Sequence, residues 1–247
     1  MSISSEQKVT IKPVGDASLL LEFEQVIAPA INHQVTALVA MIKEQQIEGI
    51  IDMIPSFCAL VINYDPRIIG YGALCERMEK LLQCEIKADA SRAMVFEIPV
   101  CYEGEFAPDL AHVAANAKMT EAEVIALHTG SDYLIYMLGF MPGFPYLGGL
   151  DERIHTPRLE NPRILIPAGS VGIGAAQTGI YPSDSPGGWQ LIGRTPVKTY
   201  DNQREKPILF DAGDYIRFVA VSRHQYDEIA EQVSAGTYRC VTREIEV

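Results

Sequence analysis

The segment from residue 139 to residue 196 constrains the fold most, because glycine and proline recur through it at short intervals. Glycine permits positive φ and close approach of backbones, whereas proline fixes φ and removes a backbone donor. Such a segment excludes long helices and predicts short strands between shaped loops, as in a small β-barrel or sandwich. Loops that a β scaffold holds in one shape often bind ligands, so we expect the working surface here.

Composition narrows the class of protein. The chain has 247 residues, of which 48% are hydrophobic and 21% charged, as in a globular protein of one large or two small domains. Its formal net charge of −12 opposes binding to nucleic acid or to an anionic membrane. The N-terminal residues 1–8 are polar, no apolar run reaches membrane-spanning length, and the five cysteines are scattered without a C-x-x-C pair. We therefore expect a cytoplasmic protein with reduced thiols and no nucleic-acid or membrane partner.

The first part of the chain predicts a mixed α/β domain. Its apolar patterns predict strands and helices in the order strand, helix, strand, strand, helix, strand, which is typical of the split βαβ or ferredoxin-like arrangement. The predicted elements are a strand at 17–24, a helix from Pro29 to about Gln46, a hairpin at 50–54 and 58–63, a helix beginning at Asp65-Pro66 and ending near residue 82, and a strand at 93–100.

After a boundary near residues 88–105 the pattern changes. Two short helices are predicted at 107–118 and 120–128, and the second begins with a capping box of Thr120 and Glu123. Short strands are then predicted at 133–138, 164–166, 207–210 and 215–221, with a final helix at 225–233. The fold class is therefore α+β, with a ferredoxin-like domain over residues 1–90 and a small barrel or sandwich over residues 91–247 that carries the site.

Several familiar motifs are incomplete. Residues 168–172 resemble a nucleophile elbow around Ser170, but Ala168 replaces the first glycine and no helix follows, so Ser170 is interpreted as a turn residue. Residues 172–176 imitate a dinucleotide fingerprint and lack the same helix. There is no Gly-Lys pair for a phosphate-binding loop, and the isolated histidines predict no metal site.

The middle segment supplies the candidate ligand-binding residues. Its arginines can each grip a carboxylate or phosphate with two donors. Its aromatic residues offer surface to a ligand, although core packing is the common alternative for Phe144 and Trp189. Gln177 and Thr178 lie in the densest glycine context and are the preferred polar candidates. The candidate substrate-binding residues are Arg194, Gln177, Thr178, Arg163, Arg158, Tyr181, Trp189 and Phe144.

His128 is the candidate for proton transfer. It lies in the last predicted helical turn before Gly130. A histidine at that position can instead satisfy the final carbonyl groups and interact with the helix dipole, and both interpretations stay open.

Longer strings identify a family. The chain contains GF-x-PGFPYLGGL from residue 139, PR-x₃-PAGSVGI from 162, QTGIYP from 177, SPGGWQLIGRTP from 185 and PILFDAGDYIRF from 207. These strings resemble the bacterial family that includes the B-type subunit of the ATP-dependent 5-oxoprolinase, the sporulation kinase A inhibitor and proteins called allophanate hydrolase subunit 1. The resemblance is strong through residues 128–220 and weak through 1–90. One departure is visible at residues 171–176, where relatives usually have Ala-Ile-Ala-Gly-Gly and this chain has glycines at 172 and 174 followed by Ala175 and Ala176.

The resemblance implies a fold and a function. It implies an N-terminal α/β domain, a C-terminal cyclophilin-like β-barrel, a larger paralogous partner of the C type and a third component of the A type. Together these would open 5-oxoproline to glutamate with ATP, and this chain would be inactive alone. An arginine, Arg194 first and then Arg163 or Arg158, would hold the substrate carboxylate. The partner would hold ATP, since no nucleotide loop occurs here.

Two other functions remain open within the family. One is an inhibitor that docks on a sensor histidine kinase. The other is half of a biotin-dependent carboxyltransferase, as in urea carboxylase, although the chain has no Met-Lys-Met biotin site.

Overall fold

The computed structural model describes residues 9–26, 28–84 and 92–246. Two compact units divide the chain, Met1–Ser91 and Arg92–Val247. Within the described ranges, no helix combines the length and the apolar character that crossing a membrane requires.

The first unit is a four-stranded antiparallel sheet with two helices. Its elements are β1 (Thr10–Val14), β2 (Ser18–Glu22), α1 (Pro29–Glu44), β3 (Ile50–Pro55), β4 (Ala59–Tyr64) and α2 (Tyr71–Gln83). The strand order is β1-β2-β4-β3. Alternation along the two central strands buries Leu19 and Leu21 of β2 and Leu60 and Ile62 of β4 in one core with the apolar sides of both helices.

Two details of this unit differ from the prediction. The strand predicted at 93–100 does not belong to this sheet, and β1 instead pairs with the free side of β2. Helix α2 begins at Tyr71 rather than at Asp65-Pro66, because the Asp65 carboxylate accepts a hydrogen bond from the backbone N–H of Arg67 at 2.9 Å and so holds a turn.

The second unit is built on a larger sheet. Its elements are β5 (Arg92–Val100), α3 (Leu110–Ala117), α4 (Glu121–His128), β6 (Asp132–Leu138), β7 (Pro145–Gly148), β8 (Arg163–Ile166), β9 (Ser170–Gly174), β10 (Gln177–Ile180), β11 (Ser185–Gly187), β12 (Gln190–Arg194), β13 (Tyr215–Ala220), α5 (Arg223–Ser234) and β14 (Val241–Glu246). The mixed α/β class predicted for the chain is confirmed.

Seven strands of this sheet form a ring. The hydrogen-bonded order is β12-β9-β10-β7-β6-β13-β5-β14, and β8 pairs separately with β11 as a two-stranded ribbon. Arg194, at the end of β12, exchanges two backbone hydrogen bonds of 2.9 Å with Cys101, directly after β5. This bridge joins the two sides of the sheet, so the ring encloses one apolar core and β14 lies outside it on β5.

Local signals fix the ends of the helices. The capping box predicted for α4 is confirmed, since Thr120 accepts from the Glu123 N–H and Glu123 accepts from the Thr120 N–H. A second box, Ser222 with Gln225, starts α5 two residues before the predicted position. The strand predicted at 207–210 is wrong, because only Ile208 makes a β-bridge there, with Tyr200.

The glycines of β9 and β10 face outward from the ring. Val171 and Ile173 of β9 and Ile180 of β10 lie in the enclosed core. Alternation therefore turns Gly172, Gly174 and Gly179 to the other side. A Cβ at Gly174 would lie 2.4 Å from Nε1 of Trp189, and one at Gly179 would lie 3.1 Å from Cζ3 of the same indole.

These glycines thus serve packing in strands rather than the shape of a ligand loop. Without side chains, the two strands present a flat surface on which the indole lies. The turn between them carries a cost, because Ala175 has φ +57°, a conformation that glycine adopts more readily.

We predict that the two units fold apart. Each has its own buried core, so residues 1–87 and residues 92–247, expressed separately, should both be soluble. Size-exclusion chromatography and thermal melts of each fragment would check this expectation. Aggregation of both fragments would contradict the boundary.

Exchanges between glycine and alanine at 174 and 175 should have opposite effects. Gly174→Ala should lower stability by about 1–3 kcal/mol, because the methyl group forces the indole away. Ala175→Gly should raise stability by about 0.5–1 kcal/mol, because it relieves a positive φ. Urea unfolding followed by tryptophan fluorescence measures both, since Trp189 is the chain's single tryptophan. Equal and same-signed effects would contradict the packing argument.

Candidate functional site

An aromatic layer covers the glycine face of β9 and β10. Its buried members are Phe144, Ile166, Tyr181, Trp189 and Leu191, and we call this set the outer aromatic layer. The rings meet edge to face: the Phe144 centroid lies 5.5 Å from that of Trp189 and 5.2 Å from that of Tyr181. Such contacts stabilise beyond the area that they bury.

The candidate aromatic residues are therefore packed rather than open to a ligand. Phe144 and Tyr181 are 2% exposed and Trp189 is 4% exposed. Burial raises the pKa of Tyr181 to about 12, so its phenol stays protonated at neutral pH. Phe144 and Trp189 are thus packed in a core, as in the alternative to ligand binding that the sequence left open.

Arg163 ties the aromatic layer to the helical side of the unit. Its Nη2 donates to Oδ1 of Asp109 at 2.6 Å, and its Nη1 donates to the backbone oxygen of Trp189 at 3.3 Å. Asp109, directly before α3, also accepts from the backbone N–H of Leu191 at 2.6 Å. With both ends of its guanidinium engaged, Arg163 fits a structural role better than the gripping of a substrate.

Arg158 and Gln177 lie on the outer side of the same hairpin. The guanidinium carbon of Arg158 lies 5.8 Å from the centroid of the Trp189 ring, and the side chain is exposed. Gln177 pairs with Gly174 across the hairpin, is half-buried, and shares the outward side of β10 with Gly179. Within the described ranges, no carboxylate forms an ion pair with Arg158. We call Arg158, Gln177 and the covering edge of Trp189 the outer hairpin surface.

Arg194 lies at the other end of these strands. Its Nε donates to the Ala168 oxygen at 2.9 Å, and its guanidinium carbon is 5.5 Å from the Phe106 ring centroid. Along β9, Arg194 pairs with Ser170 whereas Gln177 pairs with Gly174 through β10. Four residues of strand span about 13 Å. A small ligand at one end therefore does not reach the other.

His128 and Thr178 are inside the ring. Both are 0% exposed. The Tyr102 hydroxyl lies 2.7 Å from Nδ1 of His128, and Nε2 lies 2.9 Å from Oγ1 of Thr178. Thr178 in turn donates to the Gly172 oxygen at 3.0 Å. Burial lowers the pKa of His128 to about 3, so the imidazole is neutral at physiological pH.

This geometry argues against a direct chemical role for His128 and Thr178. Neither side chain reaches solvent, and all their polar atoms are engaged with each other or with the chain. The helix-end alternative for His128 also differs from what is observed, since its ring bonds to Tyr102 and Thr178 rather than to terminal carbonyls.

Of the predicted substrate-binding residues, the structure brings Arg158 and Gln177 to one solvent-facing surface. Sequence reasoning missed Asp109 and Tyr102. Asp109 lies inside the helix predicted at 107–118 and its side chain forms no helix cap, so no local signal marks it, and nothing in the local sequence marks Tyr102. Among the residues that the structure describes, no group of three or more His, Cys, Asp or Glu side chains could hold a metal ion.

Comparison with known proteins shows what this chain is similar to. The family model for the carboxyltransferase domain, subdomain C and D, matches residues 9–210. The 5-oxoprolinase B subunit of Bacillus subtilis (strain 168) is 42% identical over 233 residues, which cover 90% of this chain and 97% of that protein.

Solved structures agree on the fold. The crystal structure of the protein TTHA0988 has a TM-score of 0.73 and 36% identity; it matches 83% of this chain, which spans 40% of that longer one. The Kluyveromyces lactis urea carboxylase has a TM-score of 0.82 over 99% of this chain and 25% of its own, and at 22% identity this likeness shows the fold alone. The family resemblance of the motifs is confirmed: the chain belongs to the carboxyltransferase subdomain C and D family, among whose members is the B subunit of 5-oxoprolinase.

Proposed function

We propose that the chain is the B-type subunit of an ATP-dependent 5-oxoprolinase, which opens 5-oxo-L-proline to L-glutamate together with a larger paralogous subunit. The observation that carries this proposal is the 42% identity to the 5-oxoprolinase B subunit of Bacillus subtilis, with 97% of that protein covered. A match over the full length of a subunit supports the same place in a complex better than a match over a shared module does.

The distribution of polar groups supports dependence on a partner. Within the described residues, the candidate ligand contacts of the second unit do not converge on one concave site, because Arg194 and Gln177 lie at opposite ends of the strands. The sequence has no phosphate-binding loop. The partner subunits, of C type and A type, would therefore hold ATP and complete the site.

The chemistry sets what this chain would contribute. A lactam is a poor electrophile, so ATP would transfer its γ-phosphoryl group to the carbonyl oxygen and release ADP. A first water would then add to the activated carbon and the ring C–N bond would break, which leaves an acyl phosphate on the side chain of glutamate. A second water would hydrolyse this acyl phosphate to glutamate and phosphate. On the outer hairpin surface, Arg158 would hold the substrate carboxylate and Gln177 would hydrogen-bond the lactam. This choice places Arg158 ahead of Arg194, because its guanidinium is exposed over Trp189, on the side of the hairpin to which Gln177 also points.

The isolated chain should be inactive. Purified alone, it should show no ATP hydrolysis that depends on 5-oxoproline, and mixing with the C-type and A-type subunits should restore glutamate release. Coupled assays for ADP and glutamate measure both products. ATP turnover by the chain alone, dependent on 5-oxoproline, would contradict the proposal.

A biotin-dependent carboxyltransferase is the second candidate, favoured by the description of the family model and by the fold shared with urea carboxylase. Avidin separates the two candidates. Glutamate release by the reconstituted complex should be unaffected by avidin, whereas carboxyl transfer from biotin would stop. The kinase-inhibitor function stays a prediction of the sequence.

Substitution of Arg158 tests the assigned surface. Arg158→Ala should reduce kcat/KM of the reconstituted complex roughly 30- to 200-fold, because the substrate carboxylate loses its charged partner. This factor corresponds to a loss of about 2–3 kcal/mol in transition-state stabilisation. Arg158→Lys should recover only part of the loss, since an ammonium group cannot reproduce the planar fork. Thermal melts should show Arg158→Ala within about 0.5 kcal/mol of the parent, as for an exposed side chain without an ion pair.

Two matched arginine variants complete the test. Arg163→Met should lower the melting temperature, because it leaves Asp109 buried without its cation. Arg194→Ala distinguishes the two ends of the strands. A kinetic loss in Arg194→Ala with unchanged kinetics in Arg158→Ala would place the carboxylate at the Phe106 end instead. Unchanged kinetics in both would place the substrate on the partner.

A further inference from the structure

The buried residue His128 contacts three strands of the ring, β6, β10 and β13. The imidazole of His128 projects from the end of α4 into the enclosed core, where it stacks on Phe218 of β13 at 4.5 Å between centroids and 21° between planes. The backbone oxygen of the same residue accepts a hydrogen bond from the Tyr133 hydroxyl of β6 at 2.8 Å.

The hydrogen bonds around the imidazole of His128 select one tautomer. Thr178 donates its only hydroxyl hydrogen to the Gly172 oxygen, so its Oγ1 must accept from His128. Nε2 therefore carries the hydrogen. Nδ1 is then an acceptor, and the Tyr102 hydroxyl donates to it. The resulting chain of donors runs in one direction, Tyr102 to His128 to Thr178 to Gly172, and every member is satisfied.

This chain ends on the strands that carry the outer aromatic layer. Thr178 lies on the inner side of β10, and its neighbours Gln177 and Gly179 lie on the outer side. Gly172 accepts the last hydrogen bond on β9, and a Cβ on that glycine would lie 3.2 Å from Cβ of Trp189. A displacement of Thr178 therefore moves the backbone on which the indole and Gln177 rest.

We infer that His128 is a positioning residue: as a neutral Nε2–H tautomer, it holds β9 and β10 from inside the ring and so sets the position of the outer hairpin surface. Nothing in this role requires that the ring exchange a proton with a ligand. The position of that surface depends on His128 whether or not 5-oxoproline binds there.

The surroundings of the His128 imidazole favour a single protonation state. The titratable side chains that contact it are the phenols of Tyr102 and Tyr133, and burial raises the pKa of both. No carboxylate within the described ranges forms an ion pair with His128 that would stabilise a charged imidazole.

Nitrogen NMR tests the tautomer directly. In ¹⁵N-labelled full-length protein at neutral pH, His128 should show a protonated Nε2 and an unprotonated Nδ1, with assignment by the loss of these signals in His128→Phe. Thr178→Val should shift the ring toward the Nδ1–H form, because the acceptor for Nε2–H is gone and the Tyr102 oxygen can accept instead. A charged ring, or an Nδ1–H form in the parent protein, would overturn the inference.

Fluorescence of Trp189 tests the coupling to the outer surface. Thr178→Val and His128→Phe should raise the acrylamide quenching constant at least about twofold, because the support under the indole loosens. Phe210→Leu is the matched control. It disturbs the packing of the enclosed core but breaks no hydrogen bond of the His128 chain, so quenching should stay at the parent value for a similar fall in melting temperature.

Each outcome bears on the inference. If His128→Phe fails to fold, the milder Thr178→Val carries the test, since it changes one buried hydroxyl. Parent-like quenching in Thr178→Val, or equal increases in Thr178→Val and Phe210→Leu, would overturn a positioning role and leave His128 as ordinary core packing.

Discussion

The contact of the Trp189 indole with the bare backbone of β9 and β10 is the constraint on which the second unit depends. An indole can lie this close only where no Cβ intervenes, and Gly174 and Gly179 meet that condition. Once it lies there, Phe144 and Tyr181 close around its edges, and its backbone oxygen becomes an acceptor for Arg163. Arg163 thereby links the β8–β11 ribbon to Asp109 before α3, and Asp109 is itself hydrogen-bonded to Leu191 of β12.

The same strands are fixed from the opposite side by a different kind of interaction. Dispersion and ring contacts act outside, whereas directional hydrogen bonds act inside through His128 and Thr178. Packing alone tolerates a small sliding of the indole over the flat backbone surface. The connected hydrogen bonds of His128 and Thr178 in the buried interior do not tolerate such a shift. Glycine-rich strands lose more conformational entropy on folding than others, so two-sided support offsets that cost where the chain is least stiff.

The sequence predicted the local elements well and the surroundings of single side chains poorly. Apolar periodicity gave α1, β-branched runs gave the β3–β4 hairpin and a capping box gave α4, because each of these signals is contained in a few adjacent residues. The strand at 93–100 was assigned to the wrong sheet, because apolar alternation does not say which sheet a strand joins. The density of glycine was interpreted as loop shape, since the partner that requires those glycines, Trp189, is distant along the chain from Gly174.

Among the candidate site residues, the sequence could name the chemistry but not the neighbours. Three arginines look equivalent in the sequence, yet one faces Asp109, one lies over Phe106 and one lies exposed over Trp189. A guanidinium that already has a buried carboxylate is not available to a substrate without leaving that charge unpaired, which costs several kcal/mol. The exposed one carries no such cost. Availability rather than residue type is therefore the ground on which we propose Arg158, on the solvent-facing side of the hairpin to which Gln177 also points, as the residue that meets the substrate.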